Sequence, residues 1–361
     1  MKFYMPTRLY QEPECVMAHR GEMAALGSRA LIVTGKHSAK ANGSYDDVCR
    51  ALDAEKIAHV LFDEVEQNPS IETVMKARDF GVENGVDFVI GIGGGSPLDA
   101  AKAIALMIKH KDKDRSYLYQ KGADSSTLPI VEVPTTCGTG SEVTPVSVLT
   151  IHAEKTKGSI PHKIFADYAL SDGKYLRTAP ASVLHNTAID ALAHLWESLI
   201  NVDADDYTHM CVAEGLRVWK RSKAVLLGER DATDEDYANL MNASSLAGMS
   251  IAQVGTTVPH GLSYPVTYNQ HMPHGKAVGY FQAGYLAEAD AADREEALAL
   301  AGFDSVDDYQ SFYEALCGSE KLADADLEYA VEVLAGKPDK LKKVPYTCDR
   351  DVLHRIAFFT K

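Results

Sequence analysis

Paired cysteines are what this chain most plainly lacks. Its six cysteines (Cys15, Cys49, Cys137, Cys211, Cys317 and Cys348) are scattered, and no two form a Cys-x-x-Cys pair. That spacing excludes a thiolate zinc site of the usual kind and a disulfide framework, and it fits a reducing compartment. A basic stripe is also missing, and the net charge of −15 argues against a nucleic-acid partner. The run from Lys109 to Asp114 mixes both signs and reads as a solvated helix end or loop. The first ten residues carry Lys2 and Arg8 but no apolar signal core, and no apolar run reaches membrane length. Internal repeats and low-complexity segments are absent too. These absences together predict a cytoplasmic protein with no membrane and no nucleic-acid partner.

What is present is ordinary for a globular protein: 46% hydrophobic and 24% charged residues. At 361 residues the chain exceeds one usual core, so two domains are expected.

The most informative stretch is Gly91 to Lys102, GIGGGSPLDAAK. An apolar run, Val86-Asp87-Phe88-Val89-Ile90, precedes it and has strand character. A helical pattern from Ala100 to Ile108 follows. Ser96 suits an N-cap, Pro97 suits the first helical position, and Asp99 completes a capping-box-like S-x-x-D. Gly93, Gly94 and Gly95 permit positive φ and close backbone approach. Strand, glycine turn and helix N-terminus together present free N–H groups and the positive end of a helix dipole, which favours an anion such as a phosphate. A glycine turn alone is weak, since many are only tight turns.

The first half of the chain alternates strands and helices. Strands are predicted at 30–34, 59–62, 86–90 and 129–133, the last ended by Pro134. The turn Gly35-Lys36-His37-Ser38 follows the first of them. Helices are predicted at 46–54 and from Pro69-Ser70 towards Asn84. This rhythm predicts a mostly parallel, Rossmann-like α/β sheet with helices on both faces, where ligands bind beyond the carboxyl ends of the strands. The texture changes near Asp172. Beyond Ala181 only helical patterns recur, at 187–200, 207–227, 234–250, 294–301, 306–316 and 323–334. The predicted division is an α/β domain over 1–175 and an all-α domain over 176–361.

A second constellation lies in the helical half. Asp190 and His194 are four apart and share a helix face, so both can reach one ion. His260 and His274 flank a segment interrupted by Pro259, Gly261, Pro265, Pro273 and Gly275, which reads as loop-rich. One carboxylate and three imidazoles suit Fe²⁺ or Zn²⁺. A lone Asp-x-x-x-His pair is more often a hydrogen-bonded surface pair. With 13 histidines in the chain, His185, His209 and His271 compete for the role.

Taken together, the motifs resemble the iron-containing (group III) alcohol dehydrogenase family. The resemblance rests on Gly93-Gly94-Gly95-Ser96-Pro97 with Asp99 and Lys102, on the run from Pro134 to Glu142 (PTTCGTGSE), on Asp190 and His194 with Glu197, and on Pro273-His274-Gly275. It implies an N-terminal dinucleotide-binding domain and a C-terminal helical metal-binding domain. It implies metal ligation by Asp190, His194, His260 and His274, with Fe²⁺ as the ion and Zn²⁺ as the alternative. The pyrophosphate turn falls on Gly94, Gly95 and Ser96, beside Asp99. Asn68 matches a position near the cofactor. Thr135, Thr136 and Thr139 match the loop that holds the nicotinamide half, followed by Thr144, Val146 and Lys157. Two departures stand out. Family members often carry a histidine four residues after the third ligand, and here that place is Tyr264, which either replaces it or fills the pocket. Ala179-Pro180 stands where Leu-Pro is usual.

The resemblance implies hydride transfer between NAD(P)(H) and a small to medium primary alcohol or aldehyde. An acid after the first strand would bind the adenosine ribose. None stands here: Gly35 is followed by Lys36 and Ser38, with Lys40 close by, so NADP(H) is favoured over NAD(H). A homodimer is the expected assembly. The alternatives are a glycerol-type polyol dehydrogenase, a dehydroquinate-synthase-like enzyme of the same fold, and a nucleotide-binding protein that has lost catalysis.

Overall fold

The computed structural model describes residues 1–154 and 156–359. They form two compact units, one over Met5–Ala179 and one made of Met1–Tyr4 with Pro180–Lys361.

The first unit is built on strands β1 (Arg8–Gln11), β2 (Arg29–Thr34), β3 (Ala58–Phe62), β4 (Phe88–Gly93), β5 (Ile130–Pro134), β6 (Val148–Ile151), β7 (Thr156–Ser159) and β8 (Tyr168–Ser171). Six of them form one sheet in the order β1-β8-β5-β4-β2-β3, and every pairing in it is parallel. β6 and β7 make a separate antiparallel pair. Burial explains why β2, β4 and β5 read so clearly: all are covered on both faces, so their sequences are near-continuous apolar runs. One face packs Leu31, Val33 and Val89 under Ile104 and Met107, and the other packs Ala30, Ile32, Ile90 and Val133 against Val48 and Leu52. Residue 91 has to be small, because a Cβ there would meet the Cβ of Ala101 at 2.8 Å. β1, β6, β7 and β8 fall outside the sequence expectation. Each has only four residues, too few for a pattern to stand out.

The glycine turn differs in detail from its sequence reading. The helix runs Gly95–Lys109 with Gly94 as N-cap, so Ser96 is not the cap. Asp99 forms no capping box, because its carboxylate accepts instead from Ser141 Oγ at 2.6 Å and from the Val148 N–H at 2.8 Å. Of the three glycines only Gly93 has positive φ (149°), and its absent side chain leaves room for Pro97. The next helix upstream, Ile71–Glu83, starts as expected, with Ser70 Oγ accepting from the Thr73 N–H at 3.2 Å.

In the second unit every described regular element is helical. Its core includes Trp196 and Trp219, whose indole N–H groups donate to Ala297 O at 2.9 Å and Ala188 O at 2.8 Å, so each buried ring satisfies its one donor. The expected helix at 207–227 is broken. It ends at Trp219, and the chain continues through a turn, Lys220–Ser222, into Lys223–Leu226. There Lys223 lies over the Phe303 ring at 3.7 Å, so tertiary packing redirects the chain. The segment expected to be loop-rich is a helix, Val258–Gln270. Pro259 sits in its first turn, where no N–H partner is needed. Pro265 lies inside it and is tolerated. The helix ends at His271 in a left-handed conformation (φ 52°), and His274 opens the next helix, His274–Tyr280.

Candidate functional site

In the helical unit the helix Ala181–Leu199 carries Asp190, His194 and Glu197. Spacings of four and seven put all three on one face, and all three are buried. The helices that begin at Val258 and His274 bring His260 and His274 to that face. Gly275 makes the approach close: a Cβ there would lie 1.8 Å from Asn186 O and 3.2 Å from Asp190 Cβ.

Asp190, His260 and His274 each offer one ligand atom, and these atoms all lie within 4.8 Å of one another. Asp190 Oδ1 is 3.5 Å from His260 Nε2 and 3.9 Å from His274 Nε2. Asp190 Oδ1 and His260 Nε2 are buried without a hydrogen-bond partner among the described residues. An orphaned carboxylate oxygen and an orphaned imidazole nitrogen aimed at one point are costly unless a cation joins them. The residues present therefore fit a divalent metal. His194 is placed differently. Its ring stacks on that of His260 with centroids 4.4 Å apart, beside the three-residue cluster. His209 and His271 are exposed, and His185 Nδ1 pairs with Leu316 O at 3.2 Å, so none of these competitors joins it.

Glu197 orients the cluster, a role the sequence reading did not assign. Its Oε1 lies 2.5 Å from His260 Nδ1 and accepts from Gln282 Nε2 at 3.2 Å. Its Oε2 accepts from the Thr257 N–H at 2.5 Å and from Thr257 Oγ1 at 3.0 Å. With Nδ1 engaged by a carboxylate, Nε2 is left for the metal. The helical spacing from Asp190 was the available signal. Burial alone would raise the Asp190 carboxyl, but the His194, His260 and His274 rings hold it well below the usual range. Burial also opposes ionisation of Glu197, which His260, Lys340 and the Thr257 N–H overcome, so its pKa is lowered. Burial opposes the charge on His260, yet Glu197 and Asp190 push it up to about 9.

Tyr264 stacks on His274 with ring centroids 5.9 Å apart. Lys340 Nζ lies 5.9 Å from the centroid of the Tyr264 ring and donates to Thr256 Oγ1 at 2.6 Å. Burial lowers the Lys340 ammonium to about 8, against the pull of Glu197. Sequence reasoning missed Lys340, which carries no motif.

In the α/β unit the residues expected at the cofactor gather at the carboxyl ends of β4 and β5. The Thr135 N–H donates to Gly93 O at 2.8 Å. A Cβ on Gly94 would lie 3.0 Å from Thr136 Oγ1, and one on Gly95 would lie 2.8 Å from Thr139 Cγ2, so the glycine turn closes against the threonine loop. Ser96 Oγ accepts from the Asn68 N–H at 3.1 Å, and Asn68 Oδ1 accepts from Lys157 Nζ at 2.9 Å. Asn68 is held left-handed (φ 58°), and its carbonyl accepts from Thr150 Oγ1 at 2.8 Å. Val146 O accepts from the buried Lys102 Nζ at 3.0 Å, and Thr144 Oγ1 donates to Ser141 O at 3.3 Å. Val146, Thr144 and Asp99 thus hold the loop through hydrogen bonds inside the protein. At the end of β2, Gly35 passes Val65 O, which a Cβ would approach to 3.3 Å. Ser38 opens the short helix Ser38–Ala41, and Lys40 is bound to Asp63 at 2.6 Å, which leaves Lys36 and Ser38 as the nearer phosphate candidates. Cys137 is fully buried.

The profile for iron-containing alcohol dehydrogenase matches residues 6–173, and that for the C-terminal part of the Fe-containing alcohol dehydrogenase family matches residues 185–328. The chain belongs to the iron-containing alcohol dehydrogenase family. The long-chain primary alcohol dehydrogenase AdhA of Thermoanaerobacter ethanolicus is 32% identical over 255 residues, covering 70% of this chain and 64% of that protein. Long-chain-alcohol dehydrogenase 1 of Geobacillus thermodenitrificans is 34% identical over 262 residues, covering 71% and 65%. The matches thus span just under two thirds of these two relatives. Among solved structures, an iron-containing alcohol dehydrogenase from Thermotoga maritima superposes with a TM-score of 0.91 at 35% identity, over 99% of both chains.

Proposed function

We propose that this family member is a metal-dependent alcohol dehydrogenase and aldehyde reductase acting on small to medium primary alcohols or aldehydes. The observation that carries the reading is the convergence of Asp190, His260 and His274, with His194 stacked alongside and Glu197 fixing the His260 ring. A divalent ion held by Asp190, His194, His260 and His274 would supply Lewis-acid polarisation of the substrate oxygen, and a nicotinamide would supply the hydride. The chain's own task is to hold Nε2 of His260 unprotonated towards the ion and to keep the site buried. Fe²⁺ is the proposed ion on the family match, with Zn²⁺ the alternative because imidazole and carboxylate accept both.

The α/β unit is proposed to bind the dinucleotide, with its pyrophosphate over Gly94, Gly95 and Ser96 and its nicotinamide half near Thr135, Thr136 and Thr139. NADP(H) is favoured because β2 is followed by Gly35, Lys36 and Ser38 rather than an acid. A homodimer is the proposed assembly. The unpaired cysteines support a cytoplasmic setting, and no described helix is long and apolar enough to cross a membrane.

The test is aldehyde-dependent oxidation of NADPH and NADH by protein reconstituted anaerobically with Fe²⁺, beside a chelated control. Oxidation that needs both metal and aldehyde supports the reading, and the ratio of the two rates tests the Gly35 argument. No oxidation with either ion across a short aldehyde and ketone panel would overturn it.

A further inference from the structure

Beside the proposed metal centre stands an ammonium group with no carboxylate partner. Lys340 lies on the short helix Pro338–Leu341. Its Nζ has three N–H donors, and Thr256 Oγ1 accepts one of them. Among the described residues no carboxylate oxygen lies within 4.0 Å of it. Lys342 and Lys343 on the same segment do have acid partners, Asp339 and Asp203. The carboxylate that most favours its charge, Glu197, is already committed: one oxygen to His260 and Gln282, the other to both donors of Thr257. Lys340 is thus a half-buried cation whose charge burial disfavours and whose remaining donors meet no acceptor among the described residues, an arrangement that an arriving anion would relieve.

Its location says where that anion would sit. Lys340 Nζ faces the Tyr264 ring, and the same ring stacks on His274, so one aromatic side chain separates the ammonium from a proposed metal ligand. A substrate whose oxygen lies at the His274 cluster and whose tail runs past Tyr264 would end at Lys340. A neutral tail would offer those donors no acceptor, whereas a carboxylate or sulfonate would accept from them in charge-assisted hydrogen bonds.

We infer that Lys340 is a specificity-determining residue, and that the preferred substrate is a short aldehyde or alcohol carrying an anionic group at its far end, an ω-oxo or ω-hydroxy acid. The inference rests on the metal-dependent dehydrogenase reading and narrows its substrate class.

The test compares 4-oxobutanoate with pentanal, of similar length, as substrates for the metal-loaded enzyme and its Lys340→Met and Lys340→Arg variants. The wild type is expected to favour 4-oxobutanoate in kcat/KM, chiefly through KM. Lys340→Met should lower the ratio of anionic to neutral kcat/KM by about tenfold or more, the size of a lost charged hydrogen bond, and Lys340→Arg should restore most of it. A second readout needs no turnover. Calorimetric binding of 4-hydroxybutanoate without nicotinamide should weaken by a similar factor in Lys340→Met, while binding of 1-pentanol does not follow. An unchanged ratio in Lys340→Met, or a wild type that prefers pentanal, overturns the inference alone. Failure of the wild type to reduce either aldehyde overturns the dehydrogenase reading and the inference with it.

Discussion

His260 sits at the centre of the candidate site. One ring nitrogen is tied to Glu197, the other points at Asp190, and the ring face lies on His194. Removing the tie should loosen the ion without emptying the site. Glu197→Gln is expected to weaken metal binding about 10–100-fold, measured by competition with a chelator of known affinity. His274→Ala removes a proposed ligand outright. It should lower bound metal, read by elemental analysis, and abolish aldehyde reduction; near-native turnover at full metal content would sink the ligand assignment. The sequence exposes part of this residue set. Asp190, His194 and Glu197 share a helical period. Nothing local links them to His260, which lies 63 residues beyond Glu197, or to Lys340.

Two glycines show how elements are brought together. Gly275 lets the helix His274–Tyr280 rest on the backbone of the helix Ala181–Leu199, where a methyl group would meet Asn186 O at 1.8 Å. Gly275→Ala has no rotamer with which to escape, so the helices must separate. We expect a loss of about 1–3 kcal/mol in denaturant unfolding, together with reduced metal binding. At Gly95 the clash is with Thr139 Cγ2 at 2.8 Å, which a threonine can partly relieve. Gly95→Ala should accordingly cost little stability but weaken binding of the proposed nicotinamide dinucleotide, followed by fluorescence titration with NADPH and NADH; unaltered affinity for both would detach this turn from the pyrophosphate. Elements were legible where their pattern was long. β2, β4 and β5 are apolar runs buried on both faces, and the helix after Gly94 follows from its composition. The Val258–Gln270 helix was not legible. Its two prolines and glycine signal a break, yet Pro259 lies where no N–H is needed and packing holds the rest.

At the scale of the whole molecule, ionisation links the candidate metal site to stability. In the metal-free protein His260 is raised from its ordinary 6.5 to about 9. A raised imidazole contributes stability that is complete below 6.5 and is lost as pH rises through 9. The lowered carboxyls of Asp190 and Glu197 act in the opposite sense, and their contribution is lost in acid. Chelator-stripped protein should therefore show a thermal midpoint that falls between pH 6.5 and 9, and His260→Gln should flatten that fall. Adding Fe²⁺ or Zn²⁺ should raise the midpoint and remove the alkaline loss, because the bound ion requires a neutral ring. A midpoint indifferent to metal would count against the site.

By itself the sequence determined the parallel α/β half, the helical half, the glycine turn after β4 and the Asp190–His194 spacing. Each is written in residues a few positions apart, within reach of periodicity and turn chemistry. Only the tertiary structure decided that Asp99 ties down the threonine loop instead of capping its helix. It also decided that Glu197 orients His260, that His194 stacks beside the cluster, and that Lys340 faces Tyr264 with no carboxylate partner among the described residues. These depend on which surfaces meet across long stretches of chain. Burial then sets the consequence: once water is excluded, each charged or polar group must find a partner in the fold or wait for a ligand to provide one.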